Sequence, residues 1–192
     1  MATGAILLAA GGSSRLGRPK QLVGIAGRPL VRAMAEQALA SRCRPVRVIL
    51  GSQAEAIVGA LAGLSVSLTI NDDWREGIAS SIRAGIAAAR AERWSAAVVM
   101  LGDQPGVLAR HLDRLTEAYE AGARAVASRY AGRLGVPALF DASLFDALSA
   151  LQGDRGAKSI LARTPGVFAV DFPEGVLDVD TESDVARLRG PT

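Results

Sequence analysis

A cluster of glycines, hydroxyls and cations follows the first apolar stretch of the chain. Residues 11–20 read GGSSRLGRPK and come directly after the apolar segment Ala5–Ala10. Glycines permit tight turns and close backbone approach, and the exposed N–H groups of such a loop form a concave anion site. Arg15, Arg18 and Lys20 add three positive charges, and Pro19 suits the first turn of a helix. The segment is therefore predicted to bind phosphate.

Two common phosphate-binding patterns do not match this loop. The spacing from Gly12 to Gly17 fits a Walker A loop, but Arg18-Pro19 stands where Lys-Ser/Thr is required. A Gly-x-Gly-x-x-Gly dinucleotide pattern cannot be placed in the segment, and no acidic residue follows about 20 positions later. The plain alternative is a glycine-rich turn whose cations are solvated.

Carboxylates follow two other segments and are candidate magnesium ligands. Asp103 comes directly after the apolar run Ala96–Leu101, and Asp178 and Asp180 are two residues apart, so that both point to one side of an extended chain. Mg²⁺ prefers oxygen ligands, commonly one or two carboxylates with phosphates and water. The sequence therefore predicts a site of Asp103 with Asp178 or Asp180. A turn at Asp103, and a capping box from Thr181 onward, are the alternatives.

Apolar segments that alternate between strand and helix patterns must position these groups. Continuous apolar runs predict strands that are covered on both faces, and helical spacing predicts helices between them. The predicted strands are Ala5–Ala10, Val46–Leu50, Val66–Ile70, Ala96–Leu101, Ala123–Ser128, Pro137–Phe140 and Phe168–Phe172. The predicted helices are Pro29–Ala40, Gln53–Ala62, Glu76–Arg90, Leu108–Ala121, Ala142–Leu151 and Thr181–Leu188. This order predicts a three-layer α/β/α fold with a mainly parallel sheet, and an antiparallel strand in the last third.

In such a sheet, ligands bind beyond the carboxyl ends of the strands. The loop after Ala10 and the segment Gly102–Pro105 both follow strands, and we expect them to face each other across one cleft.

Composition limits the classes of protein that fit. The chain has 192 residues, 49% of them hydrophobic, which predicts one compact domain. No apolar stretch approaches the length of a membrane span, and the start lacks signal-peptide features, so we expect a cytoplasmic protein. The net charge of +3 is scattered, which does not favour nucleic acid as a partner.

The chain has too few cysteines and histidines for most sites that are built from these residues. The chain has one cysteine and one histidine, which rules out an internal disulfide and makes a Cys/His zinc site implausible. His111 lies within the predicted helix Leu108–Ala121 and is expected to be structural or solvent-facing.

Five segments, in order along almost the whole chain, resemble the motifs of the MobA-like nucleotidyltransferases. They are Leu8–Leu22, Asn71–Ser81, Gly102–Pro105, Gly153–Lys158 and Asp178–Thr181. Ala10 and the Gly153–Lys158 segment are similar to the CTP-using branch that acts on molybdenum cofactor, whereas the GTP-using branch more often has glycine at position 10. One departure is Gly135-Val-Pro137, where relatives often carry Gly-His-Pro.

The resemblance implies a Rossmann-like fold and a Mg²⁺-dependent transfer of CMP from CTP to molybdopterin or a related phosphorylated acceptor. It implies that Arg15 and Lys20 act on the triphosphate as catalytic cations. The nucleotide-binding residues would be Leu8, Ala9, Ala10, Gly11, Gly12, Ser13, Ser14, Arg15, Lys20, Gly77 and Ser81. The metal ligands would be Asp103, Asp178 and Asp180, and the acceptor-binding residues would be Asp154, Gly156, Ala157 and Lys158.

On this interpretation residues 1–130 bind the nucleotide, and residues 131–192 bind the acceptor and close the site. Three alternatives stay open. The chain could use GTP or another NTP, could take a sugar or polyol phosphate acceptor, or could be a non-catalytic cofactor maturation or delivery factor. An apo molybdenum hydroxylase is a candidate protein partner, and we expect a monomer or weak dimer.

Overall fold

A computed structural model describes residues 2–13 and 16–189 of the chain. In this part, a sheet of seven strands has the order β5-β4-β1-β6-β8-β7-β9, and a separate pair β2-β3 forms a small hairpin. The strands are β1 Thr3–Ala9, β2 Gly24–Ile25, β3 Arg28–Pro29, β4 Val46–Leu50, β5 Ser67–Ile70, β6 Ala96–Leu101, β7 Ala125–Tyr130, β8 Arg133–Asp141 and β9 Phe168–Asp171. Strand β8 is antiparallel to both β6 and β7, and the other pairs of the large sheet are parallel.

The helices lie on the two faces of this sheet. They are α1 Leu30–Ala40, α2 Ala54–Ala60, α3 Ile78–Ala91, α4 Ala109–Glu120, α5 Phe145–Ser149, α6 Lys158–Leu161 and α7 Glu182–Arg189. Within the described residues, none of the helices is long and apolar enough to cross a membrane.

Alternation along β1 builds two hydrophobic cores, one on each face of the sheet. Leu7 packs in one core with residues of α1, α2 and α4, and Ile6 packs in the other with residues of α3, α5 and α6. The isoleucine stripe of α3 is buried against the second face, through Ile82 and Ile86. The three-layer α/β/α fold predicted from the sequence is therefore confirmed, as is an antiparallel strand in the last third.

Short elements differ from the sequence prediction. The β2-β3 hairpin and the four-residue helix α6 were not predicted, since both are too short to show periodicity. The helix predicted for Ala142–Leu151 is instead a 3₁₀ turn, Ala142–Leu144, followed by the single turn of α5. Strand β8 begins at Arg133, four residues before the predicted start, because it pairs with β7 in a tight hairpin.

His111 is buried, so of the two expected alternatives, structural or solvent-facing, the structure has the first. Its side chain is only 5% exposed, its ring stacks on Phe172 at a centroid distance of 4.1 Å, and Nε2 lies 2.7 Å from the hydroxyl of Ser128. Burial, together with the nearby charge of Arg114, lowers the pKa of His111 to about 4. The imidazole is therefore neutral at physiological pH and joins α4 to β7.

Candidate active site

A cleft of about 620 Å³ opens at the carboxyl ends of β1 and β6. Its walls come from the loop after β1, the turn before α3, the end of β6 and Asp154. The lining residues are Leu8, Ala9, Ala10, Gly11, Gly12, Lys20, Gln21, Trp74, Arg75, Gly77, Ile78, Ser81, Leu101, Gly102, Asp103 and Asp154. The loop after β1 and the segment that starts at Gly102 meet in this cleft, as the sequence predicted.

The loop after β1 is held in shape by two side chains of its own segment. Gln21 is buried, and its amide donates to the carbonyls of Ala9 (3.1 Å) and Gly11 (2.8 Å). The hydroxyl of Ser13 accepts a hydrogen bond from the backbone N–H of Lys20 (2.9 Å) and donates to Gln21. Ser13 therefore closes the loop instead of lining the cleft. The predicted phosphate ligands Ser14 and Arg15 lie outside the described residues.

Lys20 lies between two carboxylates from distant parts of the chain. Its Nζ atom is 2.5 Å from Oδ2 of Asp103 and 3.1 Å from Oδ1 of Asp180. Burial alone would lower the pKa of Lys20, but the two carboxylates outweigh burial and raise it above its ordinary value of 10.5. The ammonium is therefore charged at neutral pH. Its contacts join the Asp178–Thr181 segment to the loop after β1.

The carboxylate set fits a divalent cation. Oδ1 of Asp103 is buried and accepts no hydrogen bond from the described residues, although Oδ2 of the same group binds Lys20. A buried carboxylate oxygen without a partner is costly, and a hard cation satisfies it well. Burial and the charge of Asp103 raise the pKa of Asp178, which lies close enough to Asp103 for their charges to repel.

Other acids do not enlarge this set. Across residues 2–13 and 16–189, no group of three or more His, Cys, Asp or Glu side chains is arranged to hold a metal ion. The predicted ligand set of Asp103 with Asp178 or Asp180 supplies two carboxylates, and two are sufficient for Mg²⁺ when phosphates and water complete the shell.

The capping box predicted at Thr181 is also present, since Asp184 accepts from the N–H of Thr181 at 2.8 Å.

The start of α3 brings Gly77 and Ser81 to the cleft. Gly77 has φ +122°, which favours glycine, and a Cβ there would lie 2.5 Å from both Oδ1 of Asp154 and the carbonyl of Gly153. The hydroxyl of Ser81 accepts from the amide of Asn71 at 3.0 Å. Both predicted nucleotide-binding residues of this segment therefore face the cleft.

The predicted acceptor-binding residues occupy different environments. Asp154 lines the cleft beside Gly77, and Gly156 lies next to Ile78 at the start of α3. Ala157 is buried in the core on the α3 face of the sheet. Lys158 is exposed at the start of α6 and does not line the cleft. An acceptor role for these four residues stays a prediction, and Asp154 is the one with direct access to the cleft.

Gln21, Trp74 and Arg75 line the cleft but were not among the predicted site residues. Gln21 is adjacent to Lys20, and a polar residue that fixes loop carbonyls leaves no periodic signal. Trp74 and Arg75 lie in a 3₁₀ turn, Trp74–Glu76, whose order emerges only from contacts with distant segments. The loop cation Arg18 does not line the cleft, and its guanidinium donates two 2.8 Å hydrogen bonds to the carboxylate of Glu182.

With the site defined, comparison with known proteins identifies the family. Residues 5–167 match the MobA-like NTP transferase domain. The chain belongs to the MobA-like NTP transferase family. It is a nucleotidyltransferase, with its glycine-rich loop and Asp103 inside the matched region.

Relatives of this MobA-like chain include proteins with different names. Nicotine blue oxidoreductase of Paenarthrobacter nicotinovorans is 35% identical over 195 residues, which covers 95% of this chain and 94% of that protein. The purine catabolism protein PucB of Bacillus subtilis (strain 168) is 28% identical and covers 81% and 78%. The crystal structure of Rv0371c from Mycobacterium tuberculosis H37Rv has a TM-score of 0.82 and 33% identity, with full coverage of both chains. Rv0371c has also been solved as a complex with manganese.

Proposed function

We propose that this chain transfers CMP from CTP to a phosphorylated acceptor, molybdopterin or a close relative, with Mg²⁺ as cofactor. The observation that carries the proposal is the bridge from Lys20 to Asp103 and Asp180 beside the glycine-rich loop. A charged ammonium and two carboxylates, which are candidate ligands for a hard cation, lie together next to a nucleotide-sized cleft, and this arrangement supports the proposal. The choice of CTP rests on Ala10 and on the Gly153–Lys158 segment, in which the chain is similar to the CTP-using branch.

The proposed reaction requires no covalent intermediate with the protein. An oxygen of the acceptor phosphate attacks the α-phosphorus of CTP, the bond between the α-phosphorus and the bridging oxygen breaks, and pyrophosphate leaves with the electron pair. Both reactants are anions, so the site must suppress their repulsion and align them.

The residues of the cleft have distinct parts in this proposal. Two of the three N–H groups of Lys20 are directed to carboxylates, and the third, which has no partner among the described residues, would donate to a phosphate oxygen. Backbone N–H groups near Gly11 and Gly12 would bind further phosphate oxygens. Asp103, with Asp178 or Asp180, would hold the Mg²⁺, which when bound neutralises charge on the phosphates.

The two functional parts proposed for the chain meet at this point. Lys20 and Asp103 come from the proposed nucleotide-binding part, residues 1–130, and Asp180 comes from the proposed closing part, residues 131–192. The Asp178–Thr181 segment would thus supply a charged group to the proposed phosphate site.

The first test is ligand binding to the wild-type chain. Thermal unfolding is measured with each of the four NTPs and Mg²⁺, and in parallel with NADH and NADPH, because one relative carries the name of an oxidoreductase. A ligand at 100 times its Kd stabilises the folded state by about 2.7 kcal/mol. A shift with CTP that exceeds those with the other nucleotides supports the proposal. A shift with NADH or NADPH alone refutes it.

The second test is turnover. Pyrophosphate release is measured with CTP and molybdopterin, for the wild type and for Asp103→Asn. Loss of the Asp103 charge should lower the rate at least about 100-fold. The control is Asp146→Asn, since Asp146 is exposed and forms an ion pair with Arg90 far from the cleft. Nucleotide binding without any pyrophosphate release would instead favour the non-catalytic maturation or delivery factor.

A further inference from the structure

Arg75 lines the cleft without an acidic partner. Among the described residues, no carboxylate lies within ion-pair distance of Arg75, whereas Lys20, the other lysine or arginine in the described lining, is held by Asp103 and Asp180. The Arg75 side chain is exposed to the cleft. A guanidinium can donate two parallel hydrogen bonds to a phosphate. Arg75 therefore has unused capacity for an anion at the place where substrates must bind.

The indole of Trp74 packs against this guanidinium. Cζ of Arg75 lies 4.5 Å from the centroid of the Trp74 ring, within the range of a cation–π contact. The indole is in turn confined by two glycines, since a Cβ on Gly51 would lie 2.6 Å from Cβ of Trp74 and one on Gly12 would lie 3.0 Å from its ring. A cation held in this way loses little freedom when it binds an anion.

The turn that carries Arg75 is hydrogen-bonded to residues 151–153. Arg83 donates to both carboxylate oxygens of Glu76, at 2.8 and 2.5 Å, and also to the carbonyl of Leu151 at 2.9 Å. Glu76 accepts a hydrogen bond from the N–H of Gly153 at 3.3 Å. Asp154, which follows directly, lines the cleft.

The carboxylate of Glu76 keeps its negative charge over the working pH range. The hydrogen bonds from Arg83 and from Gly153 lower the pKa of Glu76 to about 2, so its carboxylate is ionised throughout the working range. Each exposed ion pair contributes little to stability by itself. The two backbone contacts, however, fix the distance between the turn and residues 151–153. We refer to these contacts among Glu76, Arg83, Leu151 and Gly153 as the brace.

We propose that Arg75 binds the phosphate of the acceptor, and that Glu76 and Arg83 are positioning residues that keep Arg75 in register with Asp154. This inference rests on the proposed nucleotidyl transfer. Transfer brings two anions together, and each requires its own positive charge. Lys20 adjoins the proposed metal ligands and serves the triphosphate, whereas Arg75 is braced to the segment with the predicted acceptor residues.

The test separates the two substrates. Arg75→Ala and Arg75→Lys are compared with the wild type, and Arg133→Ala is the control, since Arg133 is exposed and does not line the cleft. The KM for molybdopterin is measured by pyrophosphate release, and the Kd of CTP by calorimetric titration. We expect Arg75→Ala to raise the KM about 10- to 100-fold and to change the Kd of CTP less than twofold. Arg75→Lys should lie between, because lysine keeps the charge but not the paired geometry.

Each contrary outcome has a defined meaning. If the Kd of CTP rises as much as the KM, Arg75 binds the triphosphate and the inference is wrong. If neither constant changes while the wild type is active, the inference is wrong and the proposed function stands. If the wild type releases no pyrophosphate, the proposed function itself has failed.

The brace is tested through the same constants. Glu76→Gln and Arg83→Gln should each raise the KM for molybdopterin several-fold, and Arg83→Lys should restore part of it. Hydrogen exchange of the amides of residues 151–154 should become faster in both glutamine variants. A lower unfolding midpoint with an unchanged KM would show that the brace is structural alone, and would overturn the positioning role.

Discussion

The bridge at Lys20 leads to a prediction about stability and metal binding together. Lys20→Met keeps most of the aliphatic stem but removes the ammonium between Asp103 and Asp180. The side chains of Lys20 and Asp103 are only 20% and 15% exposed. Asp103 then loses its lysine counter-charge in a partly dry site, with the carboxylate of Asp180 nearby.

The expected loss of stability follows from the burial of this pair. Removal of one partner from a fully buried pair costs about 3–5 kcal/mol. Asp180 is more exposed, at 32%, and can turn toward solvent, so we expect a loss of about 2–3 kcal/mol. For a chain of this size, that corresponds to a fall of about 5–10 °C in the unfolding midpoint.

The sign of the pH dependence is also fixed. The folded-state pKa of Lys20 is raised above 10.5, so the stabilisation is complete below pH 10.5 and is lost only as the pH rises through the folded value. The difference between wild type and Lys20→Met should therefore be constant from pH 6 to pH 9.

The assay is thermal unfolding in EDTA and in millimolar Mg²⁺. In EDTA, Lys20→Met should melt below the wild type by the amount given above, and Mg²⁺ should restore part of the loss, because the cation can take the place of the ammonium. Lys158→Met is the matched control, since Lys158 is exposed and outside the cleft. A Lys20→Met variant as stable as the wild type in EDTA would refute the assigned bridge. Equal responses to Mg²⁺ in the two proteins would refute the shared carboxylate site.

Three further predictions concern other contacts. Gly77→Ala should lose about 2 kcal/mol or more in urea unfolding, because its Cβ meets Asp154 in a strained backbone region, whereas Gly59→Ala, with open space around it, should not. The stability of the wild type should fall by about 2 kcal/mol between pH 7 and pH 5 as unfolded His111 takes up a proton that the folded form refuses, and His111→Gln should remove this fall. Arg18→Ala should change the unfolding midpoint by less than about 3 °C and leave CTP binding unchanged, since its ion pair is exposed; a large loss of affinity would place Arg18 in the site.

The sequence predicted the sheet because its strands are long enough to carry a signal. The runs Val46–Leu50 and Ala96–Leu101 were predicted with the bounds that the structure has. Ala96–Leu101 is apolar on both faces and Val46–Leu50 is apolar except for Arg47, a pattern that is typical of strands in a covered sheet. The hairpin β2-β3 and helix α6 were missed, since two to four residues cannot display a period.

The site was predictable at positions where the residue types alone indicate the chemistry. Lys20 and Asp103 follow two apolar strands, and polar groups beyond the ends of parallel strands converge in one cleft. Arg75 was not predictable, because its importance depends on the packing of Trp74 and on the finding that no carboxylate among the described residues lies within ion-pair distance. Those are properties of three-dimensional contact between distant segments. The partners of His111 were not predictable for the same reason, since Ser128 lies in β7 and Phe172 directly follows β9.

The confinement of Trp74 has a consequence for how this chain can evolve. A Cβ at position 12 would meet only the far end of the indole, at 3.0 Å, whereas a Cβ at position 51 would lie 2.6 Å from Cβ of Trp74 and 2.9 Å from Cβ of Ala10. Every residue except glycine has a Cβ, so a smaller side chain at position 74 leaves position 51 as crowded as before. Position 12 depends on the ring, and a smaller residue at 74 gives it space. Among descendants, a substitution at position 12 should therefore accompany a change of the tryptophan, whereas position 51 should stay glycine in either case.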